Sequence, residues 1–304
     1  MCRFFKKNLD KSYVKLHEEI LDLVLALIQI TETDVLNNKL LVDRLTSITI
    51  KSSEVLFGPK SKSGKAKLSA FGEIVFPNYK MGAVSSFMHL DYREMAIFYL
   101  YLTKSKFYDV AIDLGANIGL HSILLKKAGF SAVHSFEPDP MHFKELKRRI
   151  KLNDLSNIAI HNGAVSNYSG TSEFTRVVGN TTSSHLSGAK SDPYGVLDKF
   201  ECQVFDIKEI IPVGAKTLIK IDIEGSELDV LGAIPVKTWN MVDCIVEVTS
   251  EMHAIGILEL AKELNLNIFS QKISWKLVSN IHDMPLNYKE GSIFVTKNQK
   301  WSFI

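Results

Sequence analysis

Cysteine is scarce: three residues in 304, at positions 2, 202 and 244. They are too few and too scattered for a disulfide framework, and no pair has the spacing of a thiol metal site. A reducing, cytoplasmic setting is therefore expected. The basic start Met1-Cys-Arg-Phe-Phe-Lys-Lys7 runs into Asp10, Glu18, Glu19 and Asp22 with no small-residue cleavage site, so secretion is not expected. Without a leader, the sequons Asn167-Tyr-Ser169 and Asn180-Thr-Thr182 carry little weight. Long apolar runs are also lacking. The most apolar stretch, Ile20 to Ile30, includes Asp22 and Gln29 and is about half the ~20 residues that a bilayer span needs. Nor is there an excess of one charge: 36 basic against 34 acidic residues leave a formal +2, so nothing global draws the chain to nucleic acid.

What is present is ordinary globular material, 46% hydrophobic and 23% charged. It reads as an N-terminal helical region over 1–57, a basic loop with short strands over 58–89, and a larger unit over 90–304. Between Tyr13 and Ile30 the apolar Leu16, Ile20, Leu23, Val24 and Leu27 recur at helical spacing, and a second helix is predicted over Asp34 to Thr46. This pair reads as a cap on the main unit or a homo-oligomer contact, with a peripheral membrane position as the rival. Its mixed-sign polar face is unlike a membrane-surface helix. Gly58-Pro-Lys-Ser-Lys-Ser-Gly-Lys-Ala-Lys67 is not a P-loop, because five residues separate its glycines and Ala66 stands where a hydroxyl is needed. It reads as a flexible basic loop, or as a patch for an anionic acceptor.

Leu68 to Pro77 reads as a strand or hairpin and Leu90 to Thr103 as a helix. From Tyr108 onward short apolar runs alternate with amphipathic helices: Asp109 to Leu114, Ala132 to Phe136, Ile158 to His161, Thr217 to Asp222 and Cys244 to Val248, with helices at Gly119 to Ala128, Pro140 to Asn153, Ser226 to Ile234 and Met252 to Leu264. Such alternation predicts an α/β fold with a mostly parallel, doubly wound sheet. Ile293 to Thr296 is expected as an edge strand. Ser166 to Pro193, rich in Ser, Thr, Gly and Asn, is long for a loop and reads as a strand pair plus a lid over an acceptor.

Asp113-Leu-Gly-Ala-Asn-Ile-Gly119 stands at the first strand-to-helix junction, where an open parallel sheet forms its ligand crevice. Gly115 permits a tight turn, Asn117 a positive φ or a helix cap, and the following amides favour an anionic group. Glu137, at the end of the second strand, is placed to accept the two hydroxyls of an adenosine ribose. The spacing differs from the dinucleotide fingerprint, so a nicotinamide cofactor is the weaker inference. Asn162 and Ala164 follow the third strand as adenine neighbours. On the fourth, Thr217-Leu-Ile-Lys-Ile-Asp-Ile-Glu-Gly225, an extended run would align Lys220, Asp222 and Glu224 on one face. A carboxylate there can orient an acceptor hydroxyl or take its proton, while Lys220 tunes it or, if desolvated, serves as base. His185 in the lid is a rival base, since histidine titrates near neutral pH. His121 reads as packing or capping, and His161 as core or site. No metal is expected from ligand spacing, with magnesium on Asp222 and Glu224 as the alternative.

In combination, Asp113 to Gly119, Phe136-Glu-Pro138, Asn162-Gly-Ala164, Ile219-Lys-Ile-Asp-Ile-Glu-Gly-Ser-Glu227 and the Glu247 strand resemble FkbM-type methyltransferases over about Leu90 to Thr296. The resemblance implies a Rossmann-like methyltransferase fold, S-adenosyl-L-methionine as cofactor, and O-methylation of a saccharide or glycoconjugate hydroxyl. The implied cofactor residues are Asp113, Gly115, Asn117, Gly119, Glu137, Asn162, Ala164 and Asp222, with Glu94 as the upstream acid for the methionine end. The implied acceptor is a small molecule or glycan. Asp222-Ile-Glu-Gly225 departs from the Asn/Asp-Pro-Pro-aromatic pattern of base-modifying amino-methyltransferases, which favours a hydroxyl. Methylation of protein or nucleic acid, or a non-catalytic cofactor-binding module, are the alternatives.

Overall fold

The computed structural model describes residues 2–30, 38–189 and 195–303. Helix α1, Cys2–Ile30, is longer than its periodicity indicated. Its docking face is Leu21, Val24, Leu25 and Ile28. Of the face read from the sequence, Val24 is buried, but Leu16 and Leu23 are 50% and 60% exposed. Two overlapping apolar stripes share this helix, and the one that meets α2 and the hairpin is the one that buries. Helix α2, Lys39–Phe57, begins at the Asn38 cap, whose side chain accepts the Leu41 amide, and runs eleven residues beyond Thr46. The expected start at Asp34 lies outside the described residues. The small polar faces of Thr49, Ser52 and Ser53 are buried at this helix, and Ser52 meets His17 of α1 at 3.0 Å.

The hairpin β1 (Lys65–Leu68) and β2 (Gly72–Val75) follows, then the two-residue strands β3 (Lys80–Met81) and β4 (Val84–Ser85). Helix α3, Tyr92–Lys104, is capped by Asp91, which accepts the Glu94 amide at 2.9 Å. One continuous apolar core joins α1, α2, the hairpin and α3 to one face of the main sheet.

That sheet has eight strands. Its elements in chain order are β5 (Val110–Leu114), α4 (Leu120–Lys127), β6 (Ala132–Phe136), α5 (Pro140–Leu152) and β7 (Ile158–His161). After an insertion come β12 (Thr217–Ile221), α7 (Glu227–Ala233), β13 (Val242–Glu247), α8 (Glu251–Glu263), β14 (Asn267–Ser270), β15 (Lys276–Leu277) and β16 (Ser292–Thr296). The spatial order is β15-β14-β16-β13-β12-β5-β6-β7. The strands from β7 through β13 are mutually parallel, and β16 runs antiparallel between β13 and β14. This is the Rossmann-like methyltransferase fold, with α7 and α8 packed over the second face.

Two expectations change here. Ser292–Thr296 is not an edge: it is buried along its whole length between two partners, with β15 outermost. The polar segment after β7 is more than a strand pair. The strands β8 (Ala164–Ser166), β9 (Gly170–Val177), β10 (His185–Leu186) and β11 (Leu197–Asp206) form a separate sheet ordered β10-β9-β11-β8, and the four-residue helix α6 (Ile207–Ile210) leads back to β12. Residues 190–194, which include the expected lid end Pro193, lie outside the described residues.

Candidate active site

The chain reaches one edge of the sheet at β7 and then returns to its centre, so β5 and β12 send their following loops in opposite directions. A crevice opens beyond their C-terminal ends, as expected at such a switch point. The cavity there has a volume of about 1190 Å³. Its walls come from the loops after β5, β6, β7, β12 and β13, from the start of β8, from the β3–β4 segment, and from the lid.

The first half is built around Glu137, which is 5% exposed. Its Oε2 accepts the Asn117 amide at 2.7 Å and its Oε1 the Asp139 amide at 2.8 Å. Burial pushes its carboxyl up to about 8, against those two amides, which favour the anion. Asn117 has φ +50° and does not cap α4; Gly119, at φ +92°, occupies the cap position without a side-chain bond. The amide oxygen of Asn117, at the cavity wall, is buried without a hydrogen-bond partner among the described residues. Gly115, at φ +75°, serves a different purpose from ligand approach alone: a Cβ there would strike the carbonyl oxygen of Asp222, so the two strand-end loops pack backbone to backbone.

Three of the predicted cofactor residues stand behind this wall. Asp113 is fully buried and accepts Ser122 Oγ at 2.6 Å, with Ser135 behind it. Asn162 donates its amide to the carbonyls of Glu137 and Pro138, fixing the loop that carries Glu137. Gly119 also lies outside the lining, which does include Gly115, Asn117, Glu137, Ala164 and Glu94. Glu94 Oε2 lies 3.2 Å from His121 Nε2, whose Nδ1 is 2.9 Å from Tyr101 Oη. Burial pushes the Glu94 carboxyl up, but the His121 contact outweighs it and holds the group below the usual range. His121 is therefore a bridge, not a helix cap.

The second half centres on the end of β12. The strand stops at Ile221, and Glu224 has φ +58°, so the fully extended run to Gly225 does not form. Glu227 shapes the turn by accepting the amides of Ile223 and Gly225. Asp222 and Glu224 nevertheless reach the cavity together with Glu247, and one carboxylate oxygen from each lies within 4.8 Å of the others. Three carboxylates this close are able to share a cation, which the spacing in sequence did not reveal. Lys220 Nζ lies 2.8 Å from Asp222 Oδ2. Burial pushes Asp222 up, but Lys220 and a hydrogen bond from Glu247 outweigh it and keep it anionic. Glu247 is pushed well up, by burial first and then by the charges of Asp222 and Glu224. Burial would lower Lys220, yet Asp222 and Asp113 hold it higher than an ordinary lysine, which favours its ammonium form over the base role.

His185 does not line the cavity. It lies in β10, 1% exposed, with Nδ1 3.0 Å from the Ser183 carbonyl oxygen. Its neighbours Ser184 and Leu186 line the cavity instead, as strand alternation requires. The basic loop is remote as well: no lysine between Lys60 and Lys67 lines the cavity, and Lys65 pairs with Glu73 at 3.2 Å.

Several lining residues went unread in the sequence. His142 Nε2 meets Thr181 Oγ1 of the lid at 2.9 Å. Met81, Val84 and Met88 form a wall upstream of α3. His253, on the first turn of α8, lines the side near Glu247. The available signal was Ser250-x-x-His253 directly after a strand end, a capping serine that fixes the direction of the first turn.

Comparison with known proteins places this geometry in context. The family model described as "Methyltransferase FkbM domain" matches residues 113–270. "Methyltransferase 1" of Beauveria bassiana (strain ARSEF 2860) is 28% identical over 169 residues, covering 46% of this chain and 68% of the relative. "Methyltransferase sdnD" of Sordaria araneosa is 26% identical over 196 residues, covering 54% and 76%. A methyltransferase of Streptococcus mutans solved in complex with SAH aligns over 67% of this chain and 98% of its own at 11% identity, with a TM-score of 0.39.

Proposed function

The chain belongs to the FkbM family of S-adenosylmethionine-dependent methyltransferases, and from that premise we propose that it methylates a hydroxyl oxygen of a saccharide or glycoconjugate. The observation that carries this reading is the Lys220–Asp222 pair, set beside Glu224 and Glu247 at one end of the cavity. Clustered carboxylates are strong acceptors for neighbouring hydroxyls, the feature that distinguishes a sugar from most small molecules.

The other end of the cavity fits the cofactor. Glu137 retains lone pairs for the two ribose hydroxyls, and the buried Asn117 oxygen awaits a donor. Phe136, Val165, Phe174 and Leu186 supply apolar surface for adenine. Glu94, held anionic by His121, suits the methionine ammonium. Asp113, Gly119 and Asn162 act behind them by holding the loops. When bound, the cofactor supplies a methyl group on a positively charged sulfur, open to in-line displacement.

The rest is alignment and exclusion of water. Asp222 accepts a hydrogen bond from a hydroxyl adjacent to the one methylated and so fixes the direction of the acceptor. Lys220 keeps Asp222 charged, and Glu247, its carboxyl pushed well up by burial, shares a hydrogen bond with Asp222. Glu224, at the turn, offers a further acceptor to an adjacent hydroxyl. Methylation of protein or nucleic acid draws no support from the basic loop, which does not line the site.

Labelled-methyl transfer across a panel of sugar nucleotides and glycans tests the reading. A methyl ether on a sugar supports it. Transfer only to peptide or nucleic acid would overturn it.

A further inference from the structure

Behind the Asp222 loop, the first turns of α7 and α8 meet. Glu227 is 1% exposed, and its Oε2 lies 3.5 Å from His253 Nδ1. The same ring nitrogen is 2.9 Å from Thr249 Oγ1. Ser250 Oγ accepts the His253 amide at 3.3 Å and sets the residue on the first turn of α8. The ring lines the cavity, and Nε2 has no hydrogen-bond partner among the described residues.

We infer that His253 is the general base that takes the proton of the acceptor hydroxyl, with Glu227 as its positioning residue. The inference rests on the hydroxyl-acceptor reading above. With Nδ1–H turned towards Thr249 and Glu227, the Nε2 lone pair is the one left for the cavity. A buried carboxylate behind the far nitrogen fixes ring and tautomer and stabilises the imidazolium that forms.

The rival groups are unsuited. A base works best when its own ionisation lies near the working pH. Asp222 is held low by Lys220, Lys220 is held high, and Glu247 is pushed well above the usual carboxylate range by burial and by the charges of Asp222 and Glu224. His185 lies outside the cavity. Glu227 from α7 faces His253 Nδ1, and Asp222 and Glu224 from the turn and Lys220 and Glu247 from the adjoining strands line the same cavity.

The step balances. The acceptor O–H bond breaks and its proton passes to Nε2, while the oxygen electron pair forms the O–CH3 bond. The electron pair of the broken S–CH3 bond stays on the cofactor sulfur, which becomes neutral.

The test compares His253→Gln and His253→Asn with the wild type, using labelled cofactor and the best sugar acceptor from the panel. The two variants preserve, in turn, the positions of Nε2 and Nδ1 without a basic nitrogen. Because the side chain is partly exposed on a helix end, cofactor affinity by calorimetry is expected to be unchanged in both. Turnover is expected to fall by ~10²-fold or more, with loss of the limb of log kcat that rises with pH and partial rescue by imidazole. Glu227→Gln is expected to displace that limb. Variants that bind cofactor and keep both wild-type turnover and the rising limb would overturn the role of His253 alone. A wild-type product methylated on nitrogen or carbon would overturn the hydroxyl reading and this assignment with it.

Discussion

Lys220 Nζ and Asp222 Oδ2 are 2.8 Å apart at the end of the central strand β12, with the lysine side chain 8% exposed and the aspartate 32%. The two charges sustain each other, so removing either exposes what the pair does. Asp222→Asn keeps the shape but not the charge. Turnover is expected to fall by ~10²-fold or more through loss of acceptor alignment, while calorimetry finds the cofactor bound as before. Full activity in this variant would remove Asp222 from the site.

Lys220→Met asks the reverse question. It leaves the carboxylate without its counter-charge, and the cost of breaking a buried pair is about 3–5 kcal/mol. The low end is expected, because Asp222 is partly open to the cavity. Thermal melts measure the loss. An unchanged melting temperature would mean that the pair is spanned by solvent.

Arg176 ties the lid to the loop that carries Glu137. Its Nε and Nη2 reach the two oxygens of Asp139 at 2.6 and 2.7 Å, and its Nη1 reaches Asp198 at 2.6 Å. Burial pushes the Asp139 carboxyl up, but Arg176 wins and holds it below 3.8. A carboxyl lowered on folding adds stability above its unfolded value, and this is lost as the pH falls through the folded value. Arg176→Met is therefore expected to melt well below the wild type at pH 7, with the gap closing below pH ~4. A gap that is constant with pH would assign the loss to packing on Phe200 instead.

Much of this architecture was legible because it rests on period. The parallel strands are short apolar runs, and their helices carry one apolar stripe each, so β5, β6, β7, β12, β13 and the intervening helices fall within a few residues of expectation. The failures have physical reasons. β11 carries Lys199, Glu201 and Gln203 on an open face, with Asp198 exposed at the start of the other, and has little apolar signal. The face of α1 was misassigned because two stripes overlap. His185 and His253 were not separable by residue type: one lies in a strand facing away, the other on a capped first turn facing in. The convergence of Asp222, Glu224 and Glu247 depends on a positive φ at Glu224, which no side-chain pattern announces.

Gly115 and Gly214 form a matched pair for testing the backbone contact. Both have positive φ, +75° and +77°, so alanine pays about 1–2 kcal/mol for the left-handed conformation at either. At Gly214 a Cβ meets open space, whereas at Gly115 it strikes the Asp222 carbonyl. Gly214→Ala should show only the smaller conformational loss in thermal melts. Gly115→Ala should lose considerably more and also lose cofactor binding, since the loops on either side of the crevice must part. Equal losses would mean that the contact between those loops is dispensable.

Glu137 makes cofactor affinity depend on pH. Burial raises its carboxyl to about 8 in the folded protein, against 4.5 for the ordinary group. With the unfolded carboxyl already ionised, folding becomes less favourable as the pH climbs towards about 8, and the penalty is complete above it. The ribose hydroxyls are donors, and the ionised carboxylate is the better acceptor for them. Binding therefore favours the form that the free protein resists. Affinity for S-adenosylhomocysteine is expected to tighten from pH 6.5 to 8.5, by no more than ~10-fold per pH unit, and to level off above that, as one proton is released on binding. Glu137→Gln is expected to bind more weakly and without this slope. Calorimetry in buffers of differing ionisation enthalpy counts the proton directly. A pH-independent affinity in the wild type would show that Glu137 is ionised throughout, or that the ribose lies elsewhere.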